Sequence, residues 1–158
     1  MSARDLDAVE EAHAEIFARA AERAQELGLP YAGALTPAEA WRLHRAGAAA
    51  IIDVRTRPEY EYVGRVPDSI LVEWRRYDEA RPNPDFVDEL AARFHRGATL
   101  LFLCRSAVRS HHAAAAAAGA GFGLAFNVLE GFEGERDALG QRGALGGWRN
   151  AGLPWIQD

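Results

Sequence analysis

Short apolar runs alternating with helical stretches constrain this chain more than any other feature. They begin with GALT, and Ala50 to Val54, Ile70 to Val72, Leu100 to Leu103 and Phe126 to Leu129 follow, each rich in branched or aromatic residues. Strands buried on both faces read as continuous apolar runs of this kind. The pieces between them are long enough for crossover helices. The pattern predicts an α/β domain with a doubly wound, mostly parallel five-stranded sheet and helices on both faces. Ligands of such sheets bind at the carboxyl ends of the strands.

At 158 residues the chain has the length of one domain, and it divides into an N-terminal helical extension over 1–30 and the α/β domain over 31–158. In the extension Leu6, Val9, Ile16, Phe17, Ala20, Ala24 and Leu27 recur at helical spacing, and Glu15 and Arg19 are placed to pair at i,i+4. Gly28 and Pro30 end it. The apolar stripe either docks on its own domain or offers a homodimer contact. Thr36, with Glu39 three residues on, caps the next helix. In the Gly- and Pro-punctuated tail, Trp148 and Trp155 are expected to anchor an irregular C-terminus, with an active-site rim as the lesser role for Trp148.

Composition excludes several function classes. The formal charge of −5 works against a nucleic-acid groove or a polybasic membrane face. No apolar run approaches the ~20 residues that span a bilayer, and the acidic N-terminus lacks the basic-then-apolar pattern of a secretory signal. The cytoplasm is the expected compartment. His111 and His112 have no second pair at metal spacing, so no metal is expected.

Cys104 is the only cysteine. A lone thiol makes no internal disulfide; it is either a small buried hydrophobe or a reagent. It stands where the Leu100 to Leu103 run ends and shortly before a helix expected from Ser110 to Ala118, so CRSAVR is the turn between them. The backbone N–H groups of a strand–loop–helix turn form an anion cradle, and the positive end of the helix dipole adds to it. A thiolate is stabilised there, and Arg105 and Arg109 add charge. Ser106, Ala107, Val108 and Ser110 complete the loop. A structural thiol gains nothing from two arginines and two hydroxyls so close behind it.

CRSAVRS resembles the active-site loop of the rhodanese sulfurtransferases, C-x-x-G-x-R followed by Ser or Thr. IIDVRTRPEYEYVGRVPDSI, NVLEGFEG, GGW and GLPW resemble, in order and spacing, the corresponding blocks of single-domain bacterial rhodaneses, from about Tyr31 to Asp158. The resemblance implies a persulfide shuttle. Cys104 takes the outer sulfur of a small anionic donor such as thiosulfate and passes it to cyanide or a thiol, with no cofactor beyond that sulfur and no nucleic-acid or membrane partner. Arg55 matches a position that often faces substrate, or else it pairs with Glu59, while Asp53 supports the loop. Ala107 departs from the pattern, standing where the family usually has glycine. If that residue needs a positive φ, alanine is strained.

Two other readings compete. A sulfur-relay module would load a persulfide without turning over. A cysteine-dependent phosphatase or arsenate reductase would use the same cradle, but such phosphatases have five residues between Cys and Arg, and here four intervene.

Overall fold

The computed structural model describes residues 2–158. Helix α1 (Ala3–Leu27) starts with a reciprocal capping box between Ser2 and Asp5 and ends at Gly28, whose φ of 62° is the left-handed stop that glycine allows. Its stripe docks on its own domain. Ile16 and Ala20 are buried against strand β1 (Gly33–Leu35), and a Cβ on Gly33 would stand 2.5 Å from the Ala20 carbonyl oxygen, so glycine sets how close helix and strand come.

Arg19 does not pair with Glu15. Its Nε donates at 2.9 Å to Glu39 on helix α2 (Pro37–Arg45), which Arg23 also reaches at 2.7 Å. A half-buried carboxylate shared by two arginines attracts more strongly than an exposed i,i+4 neighbour. Glu39 also closes the expected capping box with Thr36.

The remaining strands are β2 (Ala50–Asp53), β3 (Ile70–Leu71), β4 (Leu100–Leu103) and β5 (Ala125–Val128), and the sheet order is β1-β5-β4-β2-β3, parallel throughout. In β4 successive side chains serve opposite faces. Leu100 and Phe102 join a core with Phe86 and Leu90 of helix α3 (Phe86–Arg93) and with Ala113 and Ala117 of helix α4 (Val108–Gly119). Leu101 and Leu103 join Ile16, Leu43 and Trp148 on the other side. Each fully buried Leu or Phe contributes roughly 1.5–3 kcal/mol. The buried face of α4 is Ser110, Ala113, Ala114 and Ala117, and these small side chains let the helix lie close on the sheet behind β4.

Trp148 is fully buried, packs edge-on to Trp41 and donates from Nε1 to the Pro154 carbonyl at 2.8 Å. It anchors the tail and forms no part of the site rim. Among the described residues no helix is long and apolar enough to cross a membrane.

Candidate active site

Asp53 and Leu103 are register partners, so β2 and β4 end side by side. The chain leaves β4 at Cys104, which is buried, and re-enters regular structure at Val108. Helix α4 thus begins two residues earlier than the sequence suggests, which puts Arg109 in its first turn. The Cys104 sulfur receives the Ser110 backbone N–H at 3.3 Å and lies 3.2 Å from the Ser110 hydroxyl oxygen. It sits at the positive end of a 12-residue helix.

The first two carbonyls of the loop are engaged by the 132–134 segment. The Cys104 carbonyl accepts from the Phe132 amide at 2.8 Å, and the Arg105 carbonyl accepts from Glu133 and Gly134. Gly131 makes this contact possible, because a Cβ there would overlap the Arg105 backbone. Among the described residues nothing accepts a hydrogen bond from the amides of residues 105–109. Those donors are available to an anion.

The loop conformation depends on Ala107. Its φ is 75° and its ψ 1°, the left-handed region, at the residue that precedes α4. The glycine-like backbone is therefore kept with an alanine in place. The Ala107 carbonyl accepts from the Asn127 side-chain amide at 3.2 Å and from the His111 N–H at 3.2 Å, which fix the peptide from two sides.

A cleft of about 1270 Å3 opens above the sulfur, and Cys104, Arg105, Ser106, Val108, Arg109 and Glu59 belong to its lining. Its far wall is the 74–82 segment, with Trp74, Arg75 and Tyr77. Nothing in the motif reading singled out that segment; its two arginines beside two aromatics are the signal that could have done so. Arg105 is exposed on the loop and has no carboxylate partner among the described residues.

Arg109 and Arg55 differ from expectation. The Arg109 guanidinium makes two bonds of 2.8 Å to Glu59, which also accepts from the Thr56 amide and hydroxyl at 2.9 Å. Burial alone pushes the Glu59 carboxyl up, but the Arg109 hydrogen bonds and charge, with Thr56, outweigh it and hold it at about 2. Arg55 is fully buried and lines no part of the cleft. It pairs with Asp53 rather than Glu59, with Nη2–Oδ2 at 2.7 Å, and it donates to the Gly64 carbonyl and lies over the Phe132 ring. Two residues apart at a strand end, Asp53 and Arg55 lie on one side of the chain, which favours that pairing. Among the described residues Arg55 Nη1 has no hydrogen-bond partner.

Behind the loop, Asn127 of β5 accepts from the Ser110 hydroxyl at 2.6 Å, and the Tyr31 hydroxyl meets His111 Nδ1 at 2.6 Å. Burial pushes the Tyr31 phenol up, and a hydrogen bond with Asn127 partly offsets it. Sequence reasoning missed Asn127, which reads there as one more residue of an apolar strand.

The rhodanese-like domain model matches residues 36–137. An uncharacterised protein of Rickettsia conorii is 32% identical over 113 residues, covering 68% of this chain and 82% of that protein. The crystal structure of Rv0390 from M. tuberculosis is 46% identical with a TM-score of 0.72, covering 81% of this chain and 99% of that one. The polysulfide-sulfur transferase homodimer of Wolinella succinogenes shares the fold, with a TM-score of 0.53 at 20% identity and coverage of 78% and 77%.

Proposed function

The chain belongs to the rhodanese-like domain family, and from that premise we propose that it is a sulfurtransferase that carries sulfane sulfur on Cys104. The observation that supports this most directly is the position of the sulfur, at the start of α4 with the Ser110 amide on it and five unused loop amides nearby. The Cys104 thiolate attacks the outer sulfur of thiosulfate, the S–S bond of the donor breaks, and sulfite leaves with that electron pair. The product is Cys104–S–S⁻. Cyanide or a thiolate then attacks the outer sulfur, takes it as thiocyanate or a new persulfide, and returns the thiolate.

Donor, leaving group and thiolate are all negative, so the site must offset repulsion. The loop amides and the positive end of α4 do this with fixed dipoles that need no reorganisation. Arg105 is the exposed positive charge at the mouth. The Arg109–Glu59 pair steadies the first turn of α4 rather than offering an open fork. The cleft is far larger than cyanide requires, which favours a thiol as the physiological acceptor. The strained Ala107 peptide keeps open a relay role, in which the persulfide is loaded and handed on without fast cyanide turnover.

Intact mass after thiosulfate treatment tests the proposal. The wild type gains the mass of one sulfur atom as sulfite is released, and cyanide removes that mass as thiocyanate. Cys104→Ser stays folded and gains nothing. Sulfur transfer retained in Cys104→Ser, or no loading of the wild type by any of thiosulfate, polysulfide and a thiol persulfide, would overturn it.

A further inference from the structure

We propose that Asn127 is a positioning residue for the chemistry of Cys104: by taking the Ser110 hydroxyl proton, it decides whether Ser110 accepts a proton from the sulfur or donates one to it. The inference follows from counting protons in a buried chain of three side chains. Cys104 reaches the cleft with only 1% of its surface, Ser110 is fully buried, and Asn127 is 4% exposed.

The Asn127 amide has one orientation that works. Its neighbour on one side is the Ala107 carbonyl, 3.2 Å away, which only accepts, so Nδ2 must face it. Oδ1 then faces the Ser110 oxygen at 2.6 Å. The opposite flip would set two acceptors against each other at the Ala107 carbonyl. An amide oxygen cannot donate, so the single hydroxyl proton of Ser110 lies on the bond to Asn127. Toward Cys104, 3.2 Å away, Ser110 presents only lone pairs.

This arrangement suits a neutral thiol. The chain runs from the S–H to Ser110, and from Ser110 to Asn127, with every donor used. It does not suit a sulfur anion, whose lone pairs would meet those of Ser110. When the sulfur carries charge, as thiolate or as persulfide, the hydroxyl must rotate toward it, and the Asn127 oxygen is left buried without its donor. Two proton arrangements thus correspond to two charge states of the sulfur, and Asn127 holds the resting protein in the first. The arrival of charge on sulfur turns the hydroxyl over.

The other charged and titratable groups facing the chain lie elsewhere. Arg109 with Glu59, Arg105 and His112 stand on the cleft side. Asp53 pairs with Arg55 at the end of β2. Tyr31 and His111 pair beyond Asn127. None of them takes or gives the Ser110 proton; Asn127 also holds the Ala107 carbonyl and lies against Tyr31, so the share of the hydroxyl in any change at Asn127 is the part that disappears without Ser110.

The test is the pH profile of Cys104 alkylation by iodoacetamide, a reaction of the thiolate, followed by intact mass. Asn127→Val removes the acceptor in a side chain at home in a strand, and Asn127→Thr keeps one, with its own proton free for the Ala107 carbonyl. Below the midpoint the Val variant should alkylate about three- to tenfold faster, the worth of one hydrogen bond, with the profile moved to lower pH. The Thr variant should stay within about twofold of wild type. In a Ser110→Ala background the Val substitution should no longer accelerate alkylation, although it still costs the loop its bond to the Ala107 carbonyl. A Val profile superposed on wild type, or an acceleration that persists without Ser110, overturns the proposal. Circular dichroism checks folding, and Asn127→Leu replaces Val if the latter is unfolded. The link to turnover rests on the sulfurtransferase reading, but the alkylation result does not. If the wild type fails to transfer sulfur from any donor, that reading falls while the proton arrangement is still decided.

Discussion

Arg109 in the first turn of α4 and Glu59 in the π-helical turn Glu59–Val63 face each other through two parallel N–H···O bonds of 2.8 Å. The guanidinium that the loop motif points to as an anion clamp is thus occupied by a carboxylate of the chain itself. The pair closes one side of the cleft and keeps positive charge near the sulfur while its fork is filled.

Arg109→Ala should therefore act mainly on stability. It leaves a half-buried Glu59 with only Thr56 for company, and the loss should be about 2 kcal/mol, below the range for a fully buried pair because both side chains keep some solvent contact. Arg109→Lys should recover less than half, since an ammonium cannot make both bonds. Adding Glu59→Gln to Arg109→Ala should remove little more. Thermal unfolding of the single and double variants measures this. Additive losses would mean that the two residues act separately.

The same carboxylate sets the acid limit. Glu59 and Glu39 are both held at about 2, against ordinary values of 4.5. For Glu39 burial pushes up, and Arg23, the Thr36 amide and Arg19 more than offset it. A carboxyl depressed in the folded state contributes stability that is present above its unfolded value and lost as pH falls through the folded one. Each group should then contribute on the order of 2 kcal/mol at neutral pH, lost between about pH 4.5 and pH 2. Glu39→Gln should flatten this limb and loosen α1, where Arg19 and Arg23 lose their partner. A pH series of urea midpoints reads both effects; an unchanged slope in Glu39→Gln would contradict the assignment.

Much of this was legible in the sequence for local reasons. β4, the cysteine turn and α4 follow from an apolar run, a thiol and an alanine-rich helix in direct succession, and Thr36 with Glu39 announces its own cap. The fold agrees with the expected doubly wound sheet, and each of the five apolar runs holds a strand to within one residue at either end. Partners distant in sequence were not legible. Arg109 finds Glu59 across 50 residues, and Arg19 leaves its i,i+4 neighbour for Glu39, because burial decides which carboxylate is worth most. Asn127 carries no sequence signal, since its role exists only once β5 lies beneath the loop.

The support under the loop should be intolerant of the smallest change. Gly131 has a φ of 70°, and a Cβ there would overlap the Arg105 carbonyl, which accepts from Glu133 and Gly134. Gly131→Ala must either push the cysteine loop outward or give up those bonds. It should lower stability by about 2 kcal/mol or more, from left-handed strain plus steric displacement, and reduce persulfide loading by at least about tenfold. Gly140→Ala is the control, because its φ of 76° brings the same strain with open space around the new methyl. If both variants load persulfide equally, the loop does not depend on the Gly131 contact.

Ala107 gives the sharpest test of how the loop is held. Its φ of 75° costs an alanine about 1–2 kcal/mol relative to the right-handed region, and the bonds from Asn127 and His111 to its carbonyl keep it there. Ala107→Gly removes the strain, while the greater freedom of glycine in the unfolded chain takes back ~0.4–1 kcal/mol. The net gain should be about 0.5–1 kcal/mol, or a rise of a few degrees in Tm for a domain of this size. The backbone already has the glycine-like conformation, so its amides need not move, and the rate of sulfur transfer should stay within about threefold. Ala107→Val supplies the opposite limb, because a β-branched residue at positive φ is a true outlier; it should lose stability and loading together. If Ala107→Gly instead melts lower, or transfers sulfur more than tenfold faster, then the alanine distorts the loop and the cradle as it stands is not its relaxed form.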